Sequence, residues 1–193
     1  MGVALRERTG RNTEVPDGLF VSLHHLTRSP TMADKDLKAL FLHQLKDTYF
    51  AETAILKALP QMADAAQAEE LKGVFAVHLK ETEGHLKRLE QVFQLLGEKP
   101  AGVECKAIQG IIEEGLEIVQ EFSGGEALDA GLIAAAQAVE HYEITRYGTL
   151  LAWAKQLGLT EVEGLIQATL IEEENTDQIL SELAEDAINP AAA

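Results

Sequence analysis

Residues 136–154 read AQAVEHYEITRYGTLLAWA. At about 100° per residue, Ile133, Ala136, Glu140, Ile144, Tyr147, Leu151 and Ala154 fall on one helical stripe. That stripe is the apolar one, yet Glu140 sits at its centre and Glu143 one turn on, at its edge. A bare carboxylate on a buried face is strongly unfavourable. Such a group must be protonated, paired or bound to a cation. The reading of the whole chain turns on whether other helices send matching groups to the same height.

Three other stretches do. Residues 34–62 form a helical pattern that Asp34 or Asp36 can cap, with Pro60 in its last turns. Leu37, Phe41, Leu45, Thr48, Glu52, Ile55 and Leu59 share one face, with Glu52 well inside it. Residues 68–96 form a second helix, stopped by Gly97 with Pro100 beyond. Its inward face carries Leu71, Phe75, His78, Thr82, His85, Leu89, Val92 and Leu96, with Glu81 at the edge. A shorter pattern over 104–122 has an apolar side of Ile108, Ile111, Ile112, Leu116, Ile118, Val119 and Phe122, and reads as a packing or crossover element.

The opening stretch belongs to a long helix over 126–157, ended by Gly158. A last one over 160–187 starts on Thr160, with Glu163 completing a capping box. Its face runs Val162, Ile166, Thr169, Glu173, Thr176, Asp177, Leu180 and Ala184. The turns fall near residues 66 and 158, so Glu52 and Glu81 match in height in one antiparallel hairpin, and Glu140, Glu143 and Glu173 match in the other. The fold class is therefore all-α: two long hairpins joined by a shorter helix. A faint duplication, Glu81 with His85 and Glu173 with Asp177, runs through both.

Composition narrows the function. The chain has 193 residues, 46% of them hydrophobic but only 5% aromatic, which suits a helical core of Leu, Ile, Val and Ala. A net charge of −16 argues against nucleic acid, whose phosphates need Lys and Arg. Most of that charge reads as a solvated face. The single cysteine, Cys105, excludes an internal disulfide framework and fits a reducing compartment. No apolar run approaches the roughly 18 residues of a membrane span. The N-terminal apolar stretch at 19–26 is short and broken by Ser22, His24 and His25, unlike a signal peptide. The expectation is a soluble, cytoplasmic protein. Residues 1–33 lack periodicity and read as a disordered or loosely docked arm, 34–188 as the helical domain, and 189–193 as a frayed tail.

Six carboxylates and a histidine converge in this scheme: Glu52, Glu81, His85, Glu140, Glu143, Glu173 and Asp177. No Lys or Arg lies mid-stripe at their height, so two metal ions are the natural counter-charge. Carboxylate and imidazole suit iron, with manganese the other choice. Bridging glutamates can hold two ions together. For each residue an ordinary reading stands beside this one. Glu81, Glu143 and Asp177 could face water, His85 could be a core histidine bonded to a carboxylate, and His78 reads as core or as a group behind the ligands. Tyr147, facing inward one turn beyond Glu143, could bond a ligand carboxylate.

On the stretches LFLHQLKDTYFAETAILKALP, HLKETEGHLKRLEQVFQLLG, AAAQAVEHYEITRYGTLLAWAKQLG and LIEEENTDQILSELAE, the chain resembles the YciE/YciF family of bacterial ferritin-like stress proteins. The resemblance spans about residues 33–188 and implies a ferritin-like antiparallel four-helix bundle with an additional helix between the hairpins, a di-iron centre and a homodimer. The Glu140–Glu143 pair is similar to the rubrerythrin arrangement. The superfamily's E-x-x-H is absent: three residues after Glu81 comes Gly84, with His85 next, and three after Glu173 comes Thr176, with Asp177 next. No paired cysteines exist to deliver electrons. The expected function is di-metal binding in stress or redox protection, with Fe(II) oxidised by oxygen or peroxide if there is turnover. The alternative is a structural or partner-binding bundle with a weak or relic site. Iron storage in a hollow shell is a third reading.

Overall fold

The computed structural model describes residues 35–193, so the N-terminal segment and its His24–His25 pair lie outside the described residues. Five helices carry the fold: α1 Leu37–Ala65, α2 Glu69–Leu95, α3 Lys106–Glu121, α4 Leu128–Leu157 and α5 Thr160–Leu183. There is no strand among the described residues. α1 starts on Asp36, whose carboxylate accepts from Ala39 N at 2.8 Å. It runs past Pro60 to Ala65.

Both long hairpins are closed by short connections. After α4, Gly158 takes a left-handed φ of 69°, Gly158 N donates to Lys155 O and Leu159 N to Ala154 O. This is the paired closure that frees a helix end to reverse within two residues. It also removes the expected capping box: Leu159, not Thr160, is the cap residue of α5, and Glu163 N bonds the Leu159 carbonyl. Thr160 is already inside the helix. At the other turn a buried acid does the capping from a distance. Asp129 of α4 accepts from Gln67 N at 2.8 Å and Ala68 N at 2.7 Å, tying the start of α2 to the start of α4.

α1 packs on α2, α2 on α5, α5 on α4, and α4 back on α1. Tyr147 and Arg146, late in α4, bond Glu52 and Gln44 of α1, while the start of α4 meets the end of α1. Arg88 of α2 bonds Thr169 of α5, and Thr176 bonds Glu81. Each neighbouring pair is thus antiparallel, as in a four-helix bundle with one crossover. α3 is that crossover and lies over α4 and α1. It comes close because Gly131 faces it: a Cβ there would lie 2.6 Å from Ile118 Cγ2.

The expected frayed tail is helical instead. A π-helical turn, Ala184–Ile188, continues α5 and leads into a last turn, Asn189–Ala192. Ile188 is buried against Leu180 and the apolar cluster around Leu59 and Leu132, and this anchors the end. Pro190 falls in the first turn of the final helix, where its missing N–H has no consequence.

The core is two apolar clusters. One is built from Ile55, Leu59, Phe75, Leu132, Ile133 and Leu180 with their neighbours. The other holds Phe41, Leu45, Leu89, Phe93, Leu150 and Ile166. Between them lies a buried polar layer: Thr48, Glu52, His78, Thr82, His85, Glu140, Glu143, Thr169, Glu173 and Thr176.

Candidate metal centre

Each bundle helix contributes to the layer from mid-length, where both flanks are apolar. Glu52, His85 and Glu173 are fully buried, and His78, Glu140 and Glu143 nearly so. Two groups form. His78, Glu140, Glu143 and Glu173 each offer one ligand atom with all four atoms within 4.8 Å of one another, and Glu52, His85 and Glu173 do the same. Glu173 belongs to both. Two ions could therefore sit side by side with Glu173 shared.

His85 is the pivot of one group. Its Nδ1 lies 3.0 Å from Glu173 Oε1 and 3.3 Å from Glu52 Oε1. Its Nε2 lies 2.9 Å from Glu172 Oε2. Glu172 is held by Arg88, whose Nη2 pairs with the same oxygen and whose Nε donates to Thr169 Oγ1 at 2.8 Å. A carboxylate behind one ring nitrogen fixes the tautomer and aims the other nitrogen forward. Tyr147 closes the Glu52 side: its hydroxyl donates to Glu52 Oε1, the role a tyrosine on that stripe was expected to be able to fill.

His78 serves the second group. Its Nδ1 is 3.6 Å from Glu140 Oε1 and its Nε2 4.0 Å from Glu143 Oε2. Both nitrogens lack a hydrogen-bond partner. Glu81 and Asp177, included among the sequence candidates, do not join either group. Glu81 is half-buried and accepts from Thr176 Oγ1 at 3.3 Å. Asp177 accepts from Gln137 Nε2 at 3.1 Å and pairs with the exposed His141 at 3.3 Å. They flank the layer on its α2–α5 and α4–α5 sides. The sequence reading places His78 in the core or behind the ligands and does not single out Glu172; the structure brings His78 into one of the two groups and sets Glu172 against His85. His78 was visible as the residue two turns before His85 on the same stripe.

Burial and the crowding of like charges dominate the electrostatics of this layer. Burial, then the charge of Glu173, holds the Glu140 carboxyl well above the usual carboxylate range. Burial, then Glu173, Glu52 and Glu140, does the same to Glu143. Burial raises Glu173 to about 7 against the opposing pull of His85. Burial also depresses His85, but the carboxylates of Glu173 and Glu52 outweigh it and hold the imidazole up at about 11. His78 has no such partner, and burial followed by the charge of His85 pushes it down to about 4. Burial and mutual repulsion thus favour the protonated form of the acids on α4, and the flanking carboxylates favour the imidazolium of His85.

The donor set fits metal. Ten buried side-chain nitrogen and oxygen atoms among the described residues have no hydrogen-bond partner, and all but Arg146 Nε lie in this layer. Native interiors rarely leave such atoms unpaired, and here they converge from four helices. Four acids and two imidazoles suit iron or manganese.

A family model, a domain of unknown function (DUF892), matches residues 36–193. The chain is 42% identical over 159 residues to Protein YciF of Escherichia coli K12, covering 82% of this chain and 96% of that protein. Its fold is similar to the crystal structure of that stress protein, with a TM-score of 0.77 over 80% of this chain and 98% of the other. It is likewise similar to YcfI of Rhodopseudomonas palustris, for which a structural role has been suggested, at 44% identity and a TM-score of 0.76 over 78% and 96% of the two chains. A protein from Xanthomonas campestris shares the fold at 20% identity, with a TM-score of 0.64 over 80% and 94%. With nearly all of its helical region matched, the chain belongs to the DUF892 family and is a relative of YciF.

Proposed function

We propose that this protein is a ferritin-like di-metal binding protein, with iron the favoured metal and manganese the other candidate, acting in bacterial stress or redox protection. The observation that carries the reading is the set of unpartnered buried atoms of Glu52, His78, His85, Glu140, Glu143 and Glu173. The pairing of His85 with Glu52 and Glu173 offsets part of this burial, and metal ions would offset the rest.

Glu173 would lie between the ions, with Glu52 and His85 on one side and His78, Glu140 and Glu143 on the other. Bound iron would supply two electrons, enough with two protons to take one oxygen to hydrogen peroxide, or one peroxide to two waters. The chain's own part is to hold the site. Glu172 fixes His85, Tyr147 fixes Glu52, and the two apolar clusters keep bulk water out. The acids and His85 give up protons as cations enter, so uptake is coupled to proton release. The stress role comes by relation to YciF. A cytoplasmic homodimer is part of the same reading, and no described helix is long and apolar enough to cross a membrane.

The test is metal content after anaerobic Fe(II) loading and desalting, with Glu140→Ala alongside. The account expects two irons per chain in the wild type and a clear loss in the variant. Near-zero retention of iron and manganese in both, with the helical signal intact, would leave the second reading: a structural bundle, the role suggested for YcfI. Sedimentation checks the dimer, and a large shell in that run would instead favour iron storage.

A further inference from the structure

Between α3 and the bundle lies a cavity of about 20 Å³ that draws its walls from all five helices. Leu59 and Ala58 of α1, Phe75 of α2, Ile112 of α3 and Val139 of α4 are among its apolar lining. At one end the lining changes to His78, Glu140 and Thr176. The first two carry unpartnered atoms of the candidate centre. At another wall, Ala58, Ile112 and Leu116 also line a surface cleft between α1 and α3, beside Phe50, Thr53 and Gln109. A wall of Ala58, Ile112 and Leu116 is therefore shared between a surface cleft and an apolar space whose lining includes His78 and Glu140 of the candidate centre.

The size and chemistry of this space select its occupant. One water needs roughly 10–15 Å³, so a space of about 20 Å³ suits a molecule of one or two heavy atoms and no larger organic ligand. Water itself requires two or more polar partners. The Thr176 hydroxyl gives its one proton to Glu81 and leaves water a single acceptor there, and His78 and Glu140 turn to the ions once these are bound. The remaining walls offer water nothing, and apolar cavities of this kind stay dry and accept apolar gases.

Resting on the two-ion reading of the layer, we propose that this cavity is a binding site and entry route for dioxygen, admitted past Ala58, Ile112 and Leu116 and delivered to the His78–Glu140 side of the centre. This deepens the proposed function by choosing between oxidants. Dioxygen is apolar and prefers such a path. Hydrogen peroxide is polar and would have to reach the layer elsewhere.

Xenon is the probe, because it reports on the cavity without metal or turnover. The metal-free full chain, methyl-labelled, is placed under xenon pressure and followed by NMR, beside Ala58→Leu, which fills the shared wall. Both are then loaded with Fe(II), assayed for retained iron, and oxidised with dioxygen or with peroxide. The expected result is xenon-induced shifts concentrated on the methyls of Ile112, Leu59 and Val139 in the wild type and lost in Ala58→Leu. The variant should keep its iron, lose several-fold in dioxygen-driven rate and keep its peroxide-driven rate. Should Ala58→Leu fail to fold by circular dichroism, Leu116→Phe on the same wall replaces it. Iron retained with no xenon at these methyls overturns this inference and leaves the centre standing. So does an iron-loaded, xenon-blocked variant that reacts with dioxygen at the wild-type rate. Xenon bound with no iron retained overturns the two-ion reading and the dioxygen role together.

Discussion

Replacing Glu143 by leucine is expected to make the metal-free protein more stable and the metal-loaded protein less so. Glu143 is 1% exposed, and neither of its oxygens has a hydrogen-bond partner. Burial and three nearby acids push its carboxyl up, so near neutral pH the folded chain carries either an unpaired charge or a protonated acid with nothing to bond. Leaving such a group unsatisfied costs about 1–3 kcal/mol. Leucine is close in volume and a good helix former, so most of that penalty is relieved. At about 2–4 °C per kcal/mol for a chain of this size, a gain of about 2 kcal/mol raises the metal-free Tm by roughly 4–8 °C. A ligand that binds only the folded state stabilises it by about 4 kcal/mol at a thousand times its Kd. The wild type should therefore climb on adding Fe(II) anaerobically or Mn(II), while Glu143→Leu climbs much less. The order of the two melting curves should invert between metal-free and loaded samples, read by calorimetry or circular dichroism. A less stable metal-free variant would refute the idea that the layer holds unrelieved strain. Equal stabilisation of both proteins by metal would refute Glu143 as a ligand.

Other consequences follow from the same geometry. Glu172→Ala should weaken metal binding about 10–100-fold, as loss of a carboxylate behind a ligating histidine does elsewhere, with the metal-free helical content unchanged; titration by calorimetry reads it. Asp129→Ala removes two buried hydrogen bonds to Gln67 N and Ala68 N. It should cost about 1–3 kcal/mol in both metal-free and loaded protein, shifting both Tm values together. Between pH 6.5 and 9, the metal-free protein should lose stability as pH rises. His85, raised from 6.5 to about 11, keeps in the folded state a proton that the unfolded chain loses over this window, so the slope is negative, and the upward shifts of Glu140 and Glu143 act with the same sign. His78, depressed to about 4, contributes no slope in that window. The loaded protein should show the opposite trend, because metal affinity rises as protons leave; a Tm series in pH with and without metal decides.

The stripe centres were legible and the stripe edges were not. Glu52, Glu140 and Glu173 sit mid-stripe, and helical periodicity alone places them in the buried layer. Glu81 and Glu143 look equivalent in sequence, each about 60° from a central residue, His78 or Glu140. The structure separates them because the helices have different neighbours. α2 packs on α1 and α5, whereas α4 packs on α1, α5 and also α3. The extra cover of α3 widens the buried arc of α4 and moves its centre toward Glu143, which is why Leu128, Leu132 and Val139 on that side are buried too. α2 has no such cover, and Glu81 remains half-exposed. Asp177 lies at a comparable edge of α5 and meets Gln137 and His141 instead. Such rotations depend on which helices pack where, and one chain's periodicity does not encode them. The partnership of Glu172 with Arg88 and His85 was equally hidden, since it joins residues more than 80 positions apart. So was the capping of α2 by Asp129, across 61 and 62 positions. The tail failed for a different reason: Asn189-Pro190 and three alanines read as a stop, but Ile188 packing on the core carries the helix through.

The measurement that bears most directly on the central claim is anomalous diffraction from the protein loaded with iron or manganese without oxygen. Two peaks are predicted in the buried layer, one among Glu52, His85 and Glu173 and one among His78, Glu140, Glu143 and Glu173, with Glu173 common to both. An empty layer at saturating metal, or ions found only at the outer acids Glu81 and Asp177, would contradict the account.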